Sequence, residues 1–267
     1  MTKMISFTNE QILSLAPAAG AQSPITGVSE RYSFVPTLTV IDLLRDAGWM
    51  PVHAAQSAVR LQERDGFQRH MIRFAKDGLV RENERVDLIL YNSHDCGCAF
   101  KLFAGVWRMV CSNGLMVGTE YANFSHKHVG FNPDDFLVSA EKIASAAGAI
   151  ADQVEDMKVI EMTPDERGIY AMSALNLAYD EPEKAPIRPD QLLQERRYDD
   201  KGSDLWTTFN VVQENIVRGG LRGQTRDANG RLRRVSTRPV KSLERDIKLN
   251  QALWLLTEKM AELKRQS

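Results

Sequence analysis

The sequence predicts an α+β protein, an antiparallel β-meander packed against helices, with a long heptad-patterned helix and a C-terminal helix. Three observations predict it. From about residue 49 to 129 the chain alternates short strand-like runs with turn residues. Near residue 132 the apolar period changes from two to steps of three and four. The last stretch, Val240 to Leu263, carries a broad apolar face of helical spacing.

Taken in order, residues 1–28 read as a flexible arm punctuated by Ser, Pro and Gly, with a short apolar helix from Asn9 to Leu15 whose order depends on docking. In "VPTLTVIDLLRDAG", Val40, Ile41, Leu43 and Leu44 are spaced for a helix that Gly48 ends. The runs "MPVHAAQSAVR", "QRHMIRFAK", "RVDLILYN", "AFKLFAGVWRMVC", "LMVGTEY" and "NFSHKHV" follow as strands. Their connections are short, and parallel neighbours would need long crossovers, so the strands pair antiparallel. In "AFKLFAGVWRMVC" both alternating faces are apolar, as in a central strand covered on both sides. Gly105 there predicts a bulge or a close backbone approach, and Asn113-Gly114 a hairpin turn.

"FNPDDF" then starts a helix, with Asn132 as N-cap, Pro133 in the first position and two aspartates in the first turn. Phe136, Ala140, Ile143, Ala147, Ile150, Val154 and Met157 form an unbroken heptad seam, for the sheet or for a second subunit. A capping box at Thr163 and Glu166 opens the next helix, and "DEPEKAPIRPD" is a Pro-broken linker. "SDLWTTFNVVQENIV" reads as a helix and the basic, Gly-containing stretch 218–235 as a loop. The expected layout is therefore an arm (1–28), a helix-plus-sheet core (29–133), a helical region (134–217) and a basic loop with the closing helix (218–267), in one compact domain.

Composition bounds the function. With 43% hydrophobic and 26% charged residues among 267, the chain is globular rather than disordered. No apolar run approaches the roughly 18 residues of a membrane span. The N-terminus lacks a signal-like apolar stretch and the three cysteines form no disulfide framework, so a cytoplasmic protein off the membrane is expected. The overall charge of −1 conceals an asymmetry: ten Arg or Lys face three acids between Arg218 and Lys248, a net +7. Separation of this kind points to a polyanionic partner.

Residues 94–118 hold all the cysteines. One C-x-C with scattered histidines fits no structural zinc spacing, and a catalytic thiolate would need a histidine in reach. The plain reading is that Cys96, Cys98 and Cys111 are small buried hydrophobes and that His94-Asp95 satisfies backbone groups at a turn. No metal or cofactor is expected.

The stretch "NSHDCGCAFKLFAGVWRMVCSNGLMVG" resembles the signature of the phage- and plasmid-borne domain-of-unknown-function 932 family. Its members carry an Asn-Ser-His-Asp-Gly turn, a Gly-x-x-Arg strand and a Cys-x-Asn-Gly-Leu turn, matched here by Asn92, Ser93, His94, Asp95, Gly105, Arg108, Cys111, Asn113, Gly114 and Leu115. The likeness extends upstream through "RYSFVPTLTVIDLLRDAGW" and covers most of residues 31–265. Cys96-Gly97-Cys98 departs from it, standing where members mostly show Gly-Ser-Ser, which sets the two cysteines outside any function the family shares. The resemblance implies a setting on mobile elements, in replication, recombination or defence evasion, and the layout is similar to that of phage single-strand annealing proteins.

The favoured function is a non-enzymatic, single-stranded DNA-binding and strand-annealing protein that also admits duplex and assembles as a homo-oligomeric ring or filament. Arg218, Arg222, Arg226, Arg231, Arg233, Arg234, Arg238 and Lys241 are expected to hold phosphates on a pliable backbone. Arg69, Arg73 and Arg108 on the sheet, with aromatics such as Phe67 or Tyr91, are expected to present unpaired bases. Asn92, Ser93, His94, Asp95 and Asn113 form the family turn of unassigned role. The alternatives are a host-interaction or anti-defence protein and a metal-dependent nuclease using His94 and Asp95.

Overall fold

A computed structural model of the chain describes residues 6–29, 32–59, 61–81, 84–108, 114–116, 123–126 and 132–266. Two compact units emerge, Met1–Ala151 and Asp152–Ser267. The division falls inside one long helix, α3 below.

The first unit runs α1 (Asn9–Leu15), α2 (Thr37–Asp46), β1 (Met50–Gln56), β2 (His70–Ala75), β3 (Val80–Arg81), β4 (Glu84–Asn92), β5 (Phe100–Arg108), β6 (Gly114–Met116), β7 (Asn123–His126) and the start of α3 (Pro133–Lys158). The strands form the expected antiparallel meander in the order β1-β2-β4-β5-β6, with β3 pairing along β4 and β7 along β5. Residues 6–28 are docked rather than free. Thr8 and Gln11 close a capping box on α1, Ile12 is buried, and Phe7 N donates to Pro51 O at 2.7 Å.

Every residue of β2 is buried, and so is nearly all of β4. Period two puts His70, Ile72 and Phe74 on one face and Met71 and Arg73 on the other, and both faces are covered. The β4–β5 register runs unbroken from Glu84↔Arg108 to Tyr91↔Lys101, so Gly105 sits directly opposite Asp87. The bulge expected at Gly105 occurs instead in β1, between Pro51 and His53. In α3 the seam from Phe136 to Met157 is buried in the chain, and Phe136 meets Phe100 edge-on with ring centroids 5.5 Å apart. An apolar heptad therefore fills this chain's own core and is not kept for a second copy.

The second unit contains the end of α3, then α4 (Pro164–Ala178), α5 (Leu205–Arg218), β8 (Arg222–Arg226), β9 (Leu232–Ser236) and α6 (Leu243–Gln266). Thr163 closes the predicted capping box with Glu166 on α4, and Asp204 caps α5 by accepting from Thr207 N. Trp206 stacks on Phe209 at 5.4 Å and Trp254 meets both edge-on, which centres the core of this unit on α5 and α6. None of the described helices is long and apolar enough to cross a membrane.

Candidate nucleic-acid interface

The basic stretch is a β-hairpin and not a loop. β8 and β9 pair antiparallel from Arg222↔Ser236 to Arg226↔Leu232. The turn is built by Asp227, whose O accepts from Gly230 N at 2.9 Å and whose carboxylate accepts from Asn229 N and Arg231 N. Gly230 takes φ +74°, where a side chain would be strained. The signal was an Asp-x-Asn-Gly turn between runs too polar to show an apolar face. Gly223 completes the fit. A Cβ there would run into the carbonyl oxygen of Pro186, which accepts from Gln224 N at 2.8 Å.

Alternation divides the hairpin. Gly223, Thr225 and Val235 are half-buried, whereas Arg222, Gln224, Arg226, Leu232, Arg234 and Ser236 are exposed on the opposite face. An open groove of about 1290 Å³ lies between the hairpin and residues 183–191. Arg222, Arg226 and Arg234 line it together with Lys184, Arg188 and the single acid Glu183.

The expected phosphate ligands separate by what already holds them. Arg218 pairs with Glu214 at 2.9 Å and Arg233 with Asp227 at 3.0 Å. Arg226 donates to Gly230 O at 2.9 Å. Arg222, Arg231, Arg234, Arg238 and Lys241 are exposed and carry no ion pair among the described residues. Their charge is available to an external anion.

The sheet arginines do not join them. Arg73 is only 9% exposed and pairs at 2.9 Å with Asp87, which also takes two bonds from Arg85 at 2.6 and 3.0 Å. Burial pulls Arg73 down to about 10 and pushes Asp87 above the usual carboxylate range, against the two guanidiniums. A buried charge persists only when paired, so this triad belongs to the core. Arg69 spends Nε and Nη2 on Gly97 O, at 3.0 and 2.5 Å. Tyr91 is buried as well. The expectation that this face presents bases is thereby overturned at β2 and β4. Arg108 ends β5, but its side chain lies outside the described residues, as do Asn113, Cys111 and His128.

The family turn is a buried latch. Asn92, Ser93 and His94 are wholly buried. His70 Nδ1 lies 3.0 Å from Gln68 O, which can only accept, so the proton is on Nδ1 and Nε2 is the acceptor of a ring that burial keeps neutral, with its pKa lowered to about 4. Thr37 Oγ1 therefore donates to His70 Nε2 at 2.8 Å. Its oxygen in turn accepts from Asn92 Nδ2 and from His94 Nε2, both at 3.2 Å. Asp95 holds Gly97 N at 2.8 Å and faces Arg64 at 3.6 Å. The latch joins the first residue of α2 to the ends of β2 and β4 and holds His94 wholly buried.

Cys96 and Cys98 are not the buried hydrophobes that their neighbours suggest. Cys96 is exposed at φ +58° and Cys98 only half-buried, its thiol pushed up to about 11 by burial. They are turn residues, because the chain reverses before β5 begins. Among the described residues no group of three or more His, Cys, Asp or Glu is placed to hold a metal.

Sequence reasoning missed a second buried cluster. Arg197 grips both oxygens of Glu214 and reaches Asp200 at 3.2 Å, while Asn215 bonds Leu192 O, Gln194 O and Arg196. The signal was four consecutive helical positions, Val212 to Asn215, of which three are polar and all are buried. This cluster fixes the end of α5, from which the hairpin departs.

Residues 24–254 match the family model described as Domain of unknown function (DUF932). The chain belongs to this family. The resemblance carried by residues 92–115 is thus borne out, and the DUF932 turn is the latch just described. Two Escherichia coli (strain K12) proteins, UPF0380 protein YfjQ and UPF0380 protein YafZ, are each 31% identical to this DUF932 chain over 251 residues, spanning 94% of it and 90% of theirs. No solved structure matches.

Proposed function

We propose that this DUF932 protein binds nucleic acid without catalysing a reaction, using the exposed face of the β8–β9 hairpin. The observation that carries the reading is the set of exposed cations on and beside the hairpin, Arg222, Arg231, Arg234, Arg238 and Lys241, which have no ion pair among the described residues; two of them, Arg222 and Arg234, line an open groove. Guanidiniums already satisfied by carboxylates would have little to gain from phosphate. These would exchange water and counterions for it.

Strands β2 and β4 take no part in this reading, since their side chains are buried. Nor does the α3 seam join subunits, because it is spent on the chain's own core. What remains is a phosphate-binding ribbon whose setting, as the resemblance implies, is the replication or recombination of a mobile element.

The test is retention of fluorescently labelled DNA by the purified full chain and by a double charge-reversal variant, Arg222→Glu with Arg234→Glu. Both positions are exposed, so the variant folds. Tight retention at low salt, lost in the variant, supports the reading. Retention unaffected by the reversal would remove the hairpin from the interface.

A further inference from the structure

The hairpin's form says more than its charge. A single strand is gripped by stacking its bases on aromatic rings along a cationic groove. None of the hairpin residues 222–236 is aromatic, nor is any residue lining the adjoining groove. The major groove of B-form DNA, by contrast, is about 12 Å wide and admits a two-stranded ribbon.

The exposed face also carries the residue types that read base edges. Gln224 and Arg234 are direct cross-strand partners at the centre of the ribbon. Both are exposed, and neither side chain is held by a partner among the described residues. Arg pairs bidentately with guanine and Gln with adenine in the major groove. Arg222 and Arg226 flank Gln224 on the same strand and the same face, positioned for the sugar-phosphate backbone beside the ribbon. The groove bounded by residues 183–191 gives that backbone a place to lie, against Arg222 and Arg226.

From these features we infer that the ligand is duplex DNA, entered through its major groove by the β8–β9 ribbon, with Gln224 and Arg234 at the base edges. This rests on the hairpin being the nucleic-acid interface, and it replaces the single strand with a duplex as the preferred partner.

The experiment is a competition. The full chain is bound to a labelled B-form duplex and challenged with the unlabelled duplex, its separated strands, or an A-form RNA duplex of the same sequence. The inference predicts that the DNA duplex competes at least tenfold better than either alternative, because A-form RNA closes its major groove to side chains. It also predicts that Gln224→Ala, which removes no charge, weakens duplex binding roughly tenfold while leaving the salt dependence unchanged. Equal or better competition by single strands or by RNA, with binding still abolished by the Arg222/Arg234 reversal, overturns the duplex assignment and leaves the hairpin as the interface. Absence of binding to every probe overturns both.

Discussion

Thr37 Oγ1 lies 2.8 Å from His70 Nε2 and donates to it, because Gln68 O holds the ring proton on Nδ1. Thr37→Val keeps the shape but removes the hydroxyl that His70 Nε2, Asn92 Nδ2 and His94 Nε2 share in a dry site. Each buried group left unsatisfied costs about 1–3 kcal/mol, so a loss of about 2–4 kcal/mol is expected. The urea midpoint should fall with an unchanged m-value; a shift below about 0.5 kcal/mol would mean that the latch is not closed in solution.

His70 gives the first unit a pH dependence. Its folded pKa of about 4 lies below the 6.5 of a solvated ring, so the unfolded chain takes up the proton first as pH falls. Its contribution is complete above about pH 6.5 and is lost progressively toward pH 4. The direct readout is the ring chemical shift by NMR, expected to titrate near pH 4. A midpoint between 6 and 7 would show a hydrated ring.

Asp246, in the second unit, works in the opposite direction. Burial raises its pKa to about 6, against a hydrogen bond from Asn250, so the folded form binds the proton first. It costs stability as pH rises from about 3.8 to 6. Asp246→Asn should therefore stabilise the chain by about 1–3 kcal/mol at pH 7, with the gain shrinking as pH falls from about 6 to 4. Thermal melts of both proteins across that range check the sign.

Cys96 occupies φ +58° without being glycine. Left-handed backbone costs a side chain about 1–2 kcal/mol. Cys96→Gly should raise stability by about 0.5–1 kcal/mol after the entropy of the added glycine is offset. A destabilised variant would show that the thiol does more than occupy the turn.

Arg197 and Glu214 form a pair in which the carboxylate is 3% exposed. Removing one partner of a buried pair costs about 3–5 kcal/mol when the other charge is left unpaired; Glu214 keeps its bond to Arg218 at 2.9 Å, so a smaller loss is expected here. Arg197→Met should unfold the second unit earlier in denaturant and loosen the hairpin that follows α5. Amide exchange in β8 and β9, accelerated in the variant, would report that loosening.

The meander, α3 and the cap of α4 were legible because period, turn residues and capping boxes are local signals, as at Asn132-Pro133 and Thr163–Glu166. The latch was legible only as a motif. Thr37 and His70 are 33 residues apart, and nothing in either segment announces the other. Arg73 misled because an arginine alternating with apolar residues reads the same whether it faces solvent or a buried Asp87. The hairpin was missed because its strands hide no apolar face. Its inner face instead meets Pro186 through a glycine, which no periodicity records.

The central claim is that the hairpin's free cations neutralise DNA phosphates, and the salt dependence of binding measures it most directly. The logarithm of the binding constant is expected to fall linearly with the logarithm of salt concentration. Arg222→Ala with Arg231→Ala should make that slope shallower by about two on B-form duplex, one unit for each phosphate no longer neutralised. A double variant with the wild-type slope would contradict the claim.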